Sequence, residues 1–214
     1  MSKNAIILPG MGADPRMYSA PYYEKLKDVT FAPWPRYRGE DSLKAVAESV
    51  IRANKIDQNS VIGGTSLGGM IAVEIAKIVG LPKVILISSA THPSSVNPVL
   101  KKLRFFAKIT PIHLIQMLAG KANTREKNLI FSMFESADPK FIRTMSTALF
   151  NWQGIADYPG SVFRIHGSND RMIFRPTQKV HIIEGGGHLI SMTHADQVAR
   201  FIYDHAGSAG NREK

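Results

Sequence analysis

Twenty residues, Ser60 to Val79, constrain this chain more than any others, because SVIGGTSLGGMIAVEIAKIV joins a buried strand to a helix through a single glycine-flanked serine. Val61 and Ile62 close a short apolar strand. Gly64-Thr65-Ser66-Leu67-Gly68 then spells G-x-S-x-G, and Met70, Ile71, Val73, Ile75, Ala76 and Val79 recur with helical spacing. So abrupt a change leaves no room for a loop, so Ser66 must adopt a tight backbone conformation that turns its hydroxyl out of the strand end. Gly64 and Gly68 remove side chains that would collide with the neighbouring strand and helix. The first N–H groups of the helix have no internal partner and carry the positive end of its dipole. The Leu67 N–H is therefore placed to favour developing negative charge.

The segments on either side repeat the same alternation. Ala5 to Leu8 is a continuous apolar run stopped by Pro9-Gly10, the signature of a strand buried on both faces of a parallel sheet. Asp14-Pro15 reads as an N-cap and first-turn proline, predicting a helix to about Lys27 that buries Met17, Tyr22 and Leu26. Val29 to Ala32 is a weak second strand. Pro33-Trp34-Pro35 breaks regular structure, and Asp41 or Ser42 caps a helix with Leu43, Val46, Ala47, Val50 and Ile51 on one face. After Gly80 and Pro82, Lys83 to Ser88 is another buried run. This order of strand and helix predicts a parallel sheet with helices on both faces, the three-layer α/β class.

Between His92 and Asp157 the pattern changes to four amphipathic helices. One starts at Asn97-Pro98 with Leu100, Leu103, Phe106 and Ala107. A second spans Ile112 to Leu118, a third follows the Asn123/Glu126 capping box, and a fourth follows Asp138-Pro139. The sheet resumes at Ser161 to Ile165 and Lys179 to Ile183, and a last helix carries Val198, Phe201 and Ile202. The chain thus divides into a core of residues 1–91 and 158–206, an inserted cap of residues 92–157 and a mobile tail of residues 207–214. Leu103, Phe106, Ile115, Met133, Phe134 and Leu149 either line a pocket beneath the cap or pack it onto the core.

Composition narrows the chemistry. Across 214 residues there is no cysteine, which excludes disulfides, a thiol nucleophile and thiolate metal sites. No P-loop and no G-x-G-x-x-G after a strand is present, so no cofactor is expected. The formal charge of +10 would suit nucleic acid, yet the chain has no basic-aromatic repeat and no groove-reading motif, so nucleic acid is not an expected partner. Lys101, Lys102, Arg104, Lys108, Lys121, Arg125, Lys127, Lys140 and Arg143 make the insertion basic, either to draw in an anionic substrate or as ordinary solvated helix faces. With no apolar run long enough to span a bilayer and no secretory signal, the expected location is cytoplasmic. The sequence leaves the oligomeric state open.

A serine hydroxyl is a weak nucleophile at neutral pH and needs a base within hydrogen-bond reach, itself oriented by a carboxylate. His188 follows three glycines at the end of a predicted strand, in Glu184-Gly185-Gly186-Gly187-His188, and is the candidate base. Asp170 lies in the turn His166-Gly167-Ser168-Asn169-Asp170 just beyond another strand end, and is the candidate acid. A turn histidine and a turn aspartate satisfying local N–H groups are the alternatives.

Ser66 in G-x-S-x-G, Asp170 in H-G-x-x-D and His188 in G-G-H follow in that order, each after a strand, and this arrangement resembles the α/β-hydrolase family over nearly the whole chain. The resemblance implies Ser66 as nucleophile, Asp170 as acid, His188 as base, and an oxyanion hole formed by the N–H groups of Met11 and Leu67. It implies a helical cap on a mostly parallel sheet of about six strands, without the opening antiparallel hairpin of many relatives. Where many of these read H-G-x-G, this chain reads Pro9-Gly10-Met11-Gly12, so the histidine that braces that loop is missing. The insertion is similar to the lid of small carboxylesterases, among them the pimeloyl-ester hydrolases of biotin synthesis. The implied activity is hydrolysis of a small-molecule carboxylic ester. Thioester, lactone or carbon–carbon bond cleavage with the same residues, or non-catalytic ligand binding, are the alternatives.

Overall fold

The computed structural model describes residues 4–98, 123–177 and 179–207. Six strands, β1 (Ala5–Leu8), β2 (Val29–Phe31), β3 (Val61–Thr65), β4 (Lys83–Ile87), β5 (Ser161–Gly167) and β6 (His181–Ile183), form one sheet in the order β2-β1-β3-β4-β5-β6. Every pairing is parallel, so the sheet is uniformly rather than mostly parallel. Helices α1 (Leu43–Asn54) and α2 (Leu67–Val79) follow β2 and β3.

The apolar runs are continuous because both faces of the sheet are covered. Ile6, Leu8, Ile62, Val84 and Leu86 join the core with α1 and α2, while Ala5, Ile7, Val61, Ile85 and Ile87 face the opposite core. The second core includes Val198, Ala199 and Ile202 of α6 (Ala195–Ala206), which follows the single helical turn α5 (Ile190–Thr193). This alternation is the two-residue period of strands read on two buried faces at once.

From β1 the chain moves outward to β2, then crosses back through α1 to β3 and continues the other way. The carboxyl ends of β1 and β3 therefore flank the point where the winding reverses, and in open α/β sheets the ligand crevice lies at such a point. The loop of Gly10 to Ala13 and Ser66 both emerge there.

Three expectations are corrected. In place of a helix over residues 14–27 there are two 3-10 turns, Pro15–Tyr18 and Tyr23–Lys25. Pro21 lacks an N–H and its ring clashes with the preceding turn, which interrupts the helix and shifts its phase, so that Tyr23 is buried and Tyr22 is exposed. β4 ends at Ile87 because Ser88 takes a φ of 41°, outside the strand region. The last strand covers only His181–Ile183.

Between β4 and β5, which are direct neighbours, the described residues form α3 (Thr124–Ser136) and α4 (Pro139–Ala148). Both begin as the sequence predicts. Asn123 and Glu126 make a reciprocal capping box, and Asp138 accepts N–H bonds from Lys140 and Phe141. The two earlier predicted helices, with Leu103, Phe106 and Ile115, lie outside the described residues. α3 is tied to the loop after β1 by Arg16, which donates to the hydroxyls of Ser132 (3.1 Å) and Ser136 (3.0 Å) while paired with Asp14. Among the described residues no helix is long and apolar enough to cross a membrane.

Candidate active site

Ser66 caps α2 with φ 55° and ψ −120°, a conformation that costs a residue bearing a Cβ about 1–3 kcal/mol and persists only where the surroundings over-determine it. Here they do. The Ser66 N–H donates to the Ile87 carbonyl (3.0 Å), and the Ser66 carbonyl accepts from the Ser89 hydroxyl (2.7 Å) and the Gly69 N–H (3.1 Å). The two flanking glycines are obligatory for close packing. A Cβ on Gly64 would strike the Gly68 carbonyl group, and one on Gly68 would strike the carbonyls of Leu8 and Pro9.

Just behind the serine, the Thr65 hydroxyl bonds to Tyr18 Oη and to Ser191 Oγ, each at 2.8 Å, and Tyr18 Oη donates to the Leu8 carbonyl (2.9 Å). All three side chains are buried. Burial pushes the Tyr18 phenol well above its ordinary range, so it stays a neutral donor. This knot joins the ends of β1 and β3 to α5, three residues beyond His188, and nothing in the local sequence announces it.

Asp170 and His188 stand on loops that touch. The Asn169 N–H donates to the Gly186 carbonyl (2.8 Å), the Gly185 N–H donates to the Ser168 hydroxyl (2.8 Å), and a Cβ on Gly167 would meet the Gly186 carbonyl. The glycines of both motifs thus permit the two loops to lie against each other. His188 Nδ1 lies 2.8 Å from Asp170 Oδ2, and His188 Nε2 lies 2.9 Å from Ser66 Oγ. A carboxylate can only accept, so Nδ1 carries the ring hydrogen and Nε2 is left to accept from the serine hydroxyl. Asp170 Oδ1 accepts the N–H groups of Met172 (2.8 Å) and Ile173 (3.0 Å). Burial opposes ionisation of Asp170, but His188, His166 and these N–H donors outweigh it and hold the carboxyl well below the usual carboxylate range. Ser66, His188 and Asp170 are therefore in hydrogen-bonded series.

A cavity of about 60 Å³ opens over Ser66 and His188. It is bordered by Met11 and Leu67, and among the described residues no acceptor takes up the N–H of either. The lining is apolar and rich in methionine, with Met11, Met17, Met70, Met133, Met172 and Met192 joined by Ile130, Phe134 and Leu149. Met133, Phe134 and Leu149 thus reach the cavity as well as pack. Arg125, Lys127, Lys140 and Arg143 are exposed and do not line it. The brace absent from the loop after β1 has a substitute: Trp34 Nε1 donates to the Gly10 carbonyl (3.1 Å) from 24 residues away. Among the described residues no cluster of three or more His, Asp or Glu could hold a metal ion.

Residues 5–201 match the model of the Alpha/beta hydrolase family. Among solved structures the chain is similar to a hydrolase from Oleispira antarctica, with TM-score 0.76 and 16% identity over 94% of this chain and 90% of that one. It is similar to a thermophilic esterase from Thermogutta terrifontis, with TM-score 0.73 and 18% identity over 95% and 90% of the two chains. A third is an esterase from Exiguobacterium antarcticum, with TM-score 0.73 and 13% identity over 96% and 93%. At such identities the likeness is one of fold. No curated protein matches the chain.

Proposed function

The chain belongs to the α/β-hydrolase family, and on that premise we propose that it is a serine carboxylesterase for small, uncharged esters. The observation that carries this reading is the bonded series from Ser66 Oγ through His188 to Asp170, opening onto an apolar cavity.

In the first step His188 Nε2 takes the Ser66 proton as Oγ attacks the ester carbonyl, and Asp170 holds the imidazole in the required tautomer and stabilises its charge. The resulting oxyanion rests on the N–H groups of Met11 and Leu67, each worth about 3 kcal/mol of barrier. His188 then passes the proton to the departing alcohol. Water, activated by the same imidazole, hydrolyses the acyl-enzyme and releases the acid.

Residues 92–157 act as a cap on the core of residues 1–91 and 158–206, with α3 supplying Ile130, Met133 and Phe134, and Leu149 just after α4, to the cavity wall. Its roughly 60 Å³ is far below the about 300–1,000 Å³ of pockets for drug-sized ligands, which favours a short acyl group. The absence of a charged side chain from the described lining disfavours an acyl group bearing a carboxylate or phosphate.

The test has two arms. A fluorophosphonate probe should label the wild type and not Ser66→Ala; labelling of the variant removes Ser66 from this role. Hydrolysis of p-nitrophenyl esters from acetate to dodecanoate should peak at acetate to butyrate, and a maximum at the long esters contradicts the small acyl site.

A further inference from the structure

Asp170 is the least solvated charge in the site. It is 8% exposed, and among the described residues no lysine or arginine pairs with it. A buried carboxylate survives only where donors replace its lost water. Three of those donors are the N–H groups of Met172 and Ile173 and the imidazole of His188. The fourth group at the carboxylate is a second histidine.

His166, at the penultimate position of β5, is 1% exposed. Its Nε2 lies 3.1 Å from the Ile173 carbonyl oxygen and 3.2 Å from Asp170 Oδ2. Both neighbours are acceptors, so the nitrogen between them must carry a hydrogen. Ile173 is consequently held at both ends, its N–H on Asp170 and its carbonyl on His166, and the turn of residues 170–173 closes into a ring around the acid. The oxygen that His166 approaches is the one His188 uses.

We propose that His166 is a positioning residue for the Ser66 hydrolysis argued above: its Nε2–H locks the turn carrying Asp170 and aims Oδ2 at His188. It touches neither substrate nor the reacting atoms. Its action runs through the carboxylate, so it sets kcat and leaves the affinity of the apolar cavity alone.

Steady-state kinetics on p-nitrophenyl acetate test this with His166→Leu, which removes the donor, and His166→Gln, which keeps an N–H at similar reach. The leucine variant should lose about tenfold in kcat with KM changed less than about twofold, and glutamine should restore kcat to within about threefold of wild type. Wild-type kcat in the leucine variant, or equal loss in both variants, overturns the proposal. Nitrogen NMR of histidine-labelled Ser66→Ala protein supplies a readout that needs neither turnover nor the leucine variant. His166 should carry its hydrogen on Nε2, and an Nδ1–H tautomer overturns the proposal. Because the tautomer is read on an inactive protein, its result stands apart from the fluorophosphonate test of Ser66.

Discussion

The middle of the sheet and its carboxyl edge are made from the same strands, yet different forces hold them. In the middle, Ile7, Ile62, Ile85 and Leu86 are almost wholly buried, and the work is done by apolar area removed from water, about 25 cal/mol per Å². At the carboxyl edge, β3, β5 and the loops that follow β5 and β6 carry buried polar groups, Thr65, His166, Asp170 and His188, held by directed hydrogen bonds and by glycines that let backbones touch. The edge also carries strain at Ser66 and Ser88, both with positive φ. On the proposed mechanism the two regions have different roles: removing packing from the middle should cost stability, and removing a donor from the edge should cost rate.

The largest effect tests the edge. Ser66→Ala should lower kcat by about 10⁵ to 10⁶-fold while the melting temperature moves little, since on the proposed mechanism the residue lends its oxygen to the reaction and only its backbone to the fold. A large fall in melting temperature would mean that edge and middle are not separable there. Asp170→Asn comes next, with a loss of about 10⁴-fold in kcat, because a neutral amide no longer enforces the working tautomer of His188.

Asp170→Asn should also change how stability depends on pH. Folding favours the charged carboxylate, whose folded value lies below the ordinary one of about 3.9, so its contribution is present above that value. It is lost as pH falls through the depressed folded value. In urea unfolding, the stability gap between wild type and variant should narrow as pH falls below about pH 4. A gap that does not narrow there would contradict the depressed value of Asp170.

For the middle, Ile85→Ala should cost about 2–5 kcal/mol in urea unfolding and leave kcat at 25 °C within about twofold of wild type. The smallest effect is expected where the insertion meets solvent. Asn123→Ala removes one half of the capping box of α3 and should cost about 1 kcal/mol, read as faster amide exchange confined to that helix.

Much of this division can be read from the sequence, for physical reasons that differ by region. Continuous apolar runs such as Lys83 to Ile87 announce strands buried on both faces, and the all-parallel sheet follows from them. The contact between the loops that carry Ser66, Asp170 and His188 leaves a mark in the sequence, because such close approach demands glycine at fixed spacing. Groups that act across long separations leave none. Trp34 reaching Gly10, and Tyr18 and Ser191 meeting at Thr65, each depend on which loops the sheet brings together. The turns at Pro15–Tyr18 and Tyr23–Lys25 depart from the expected helix for a local reason: Asp14-Pro15 is a sound helix start, but Pro21 ends the helix before it can form.

On the proposed mechanism, acyl transfer passes through Ser66 Oγ. Rapid quenching of the enzyme with p-nitrophenyl acetate, followed by peptide mass mapping, tests it directly. An acetyl group on Ser66 within the tryptic peptide of residues 56–77, forming and decaying at rates consistent with kcat, is the predicted result. Full turnover with that peptide unmodified, or an acetyl group that accumulates on a different side chain at the catalytic rate, would contradict it.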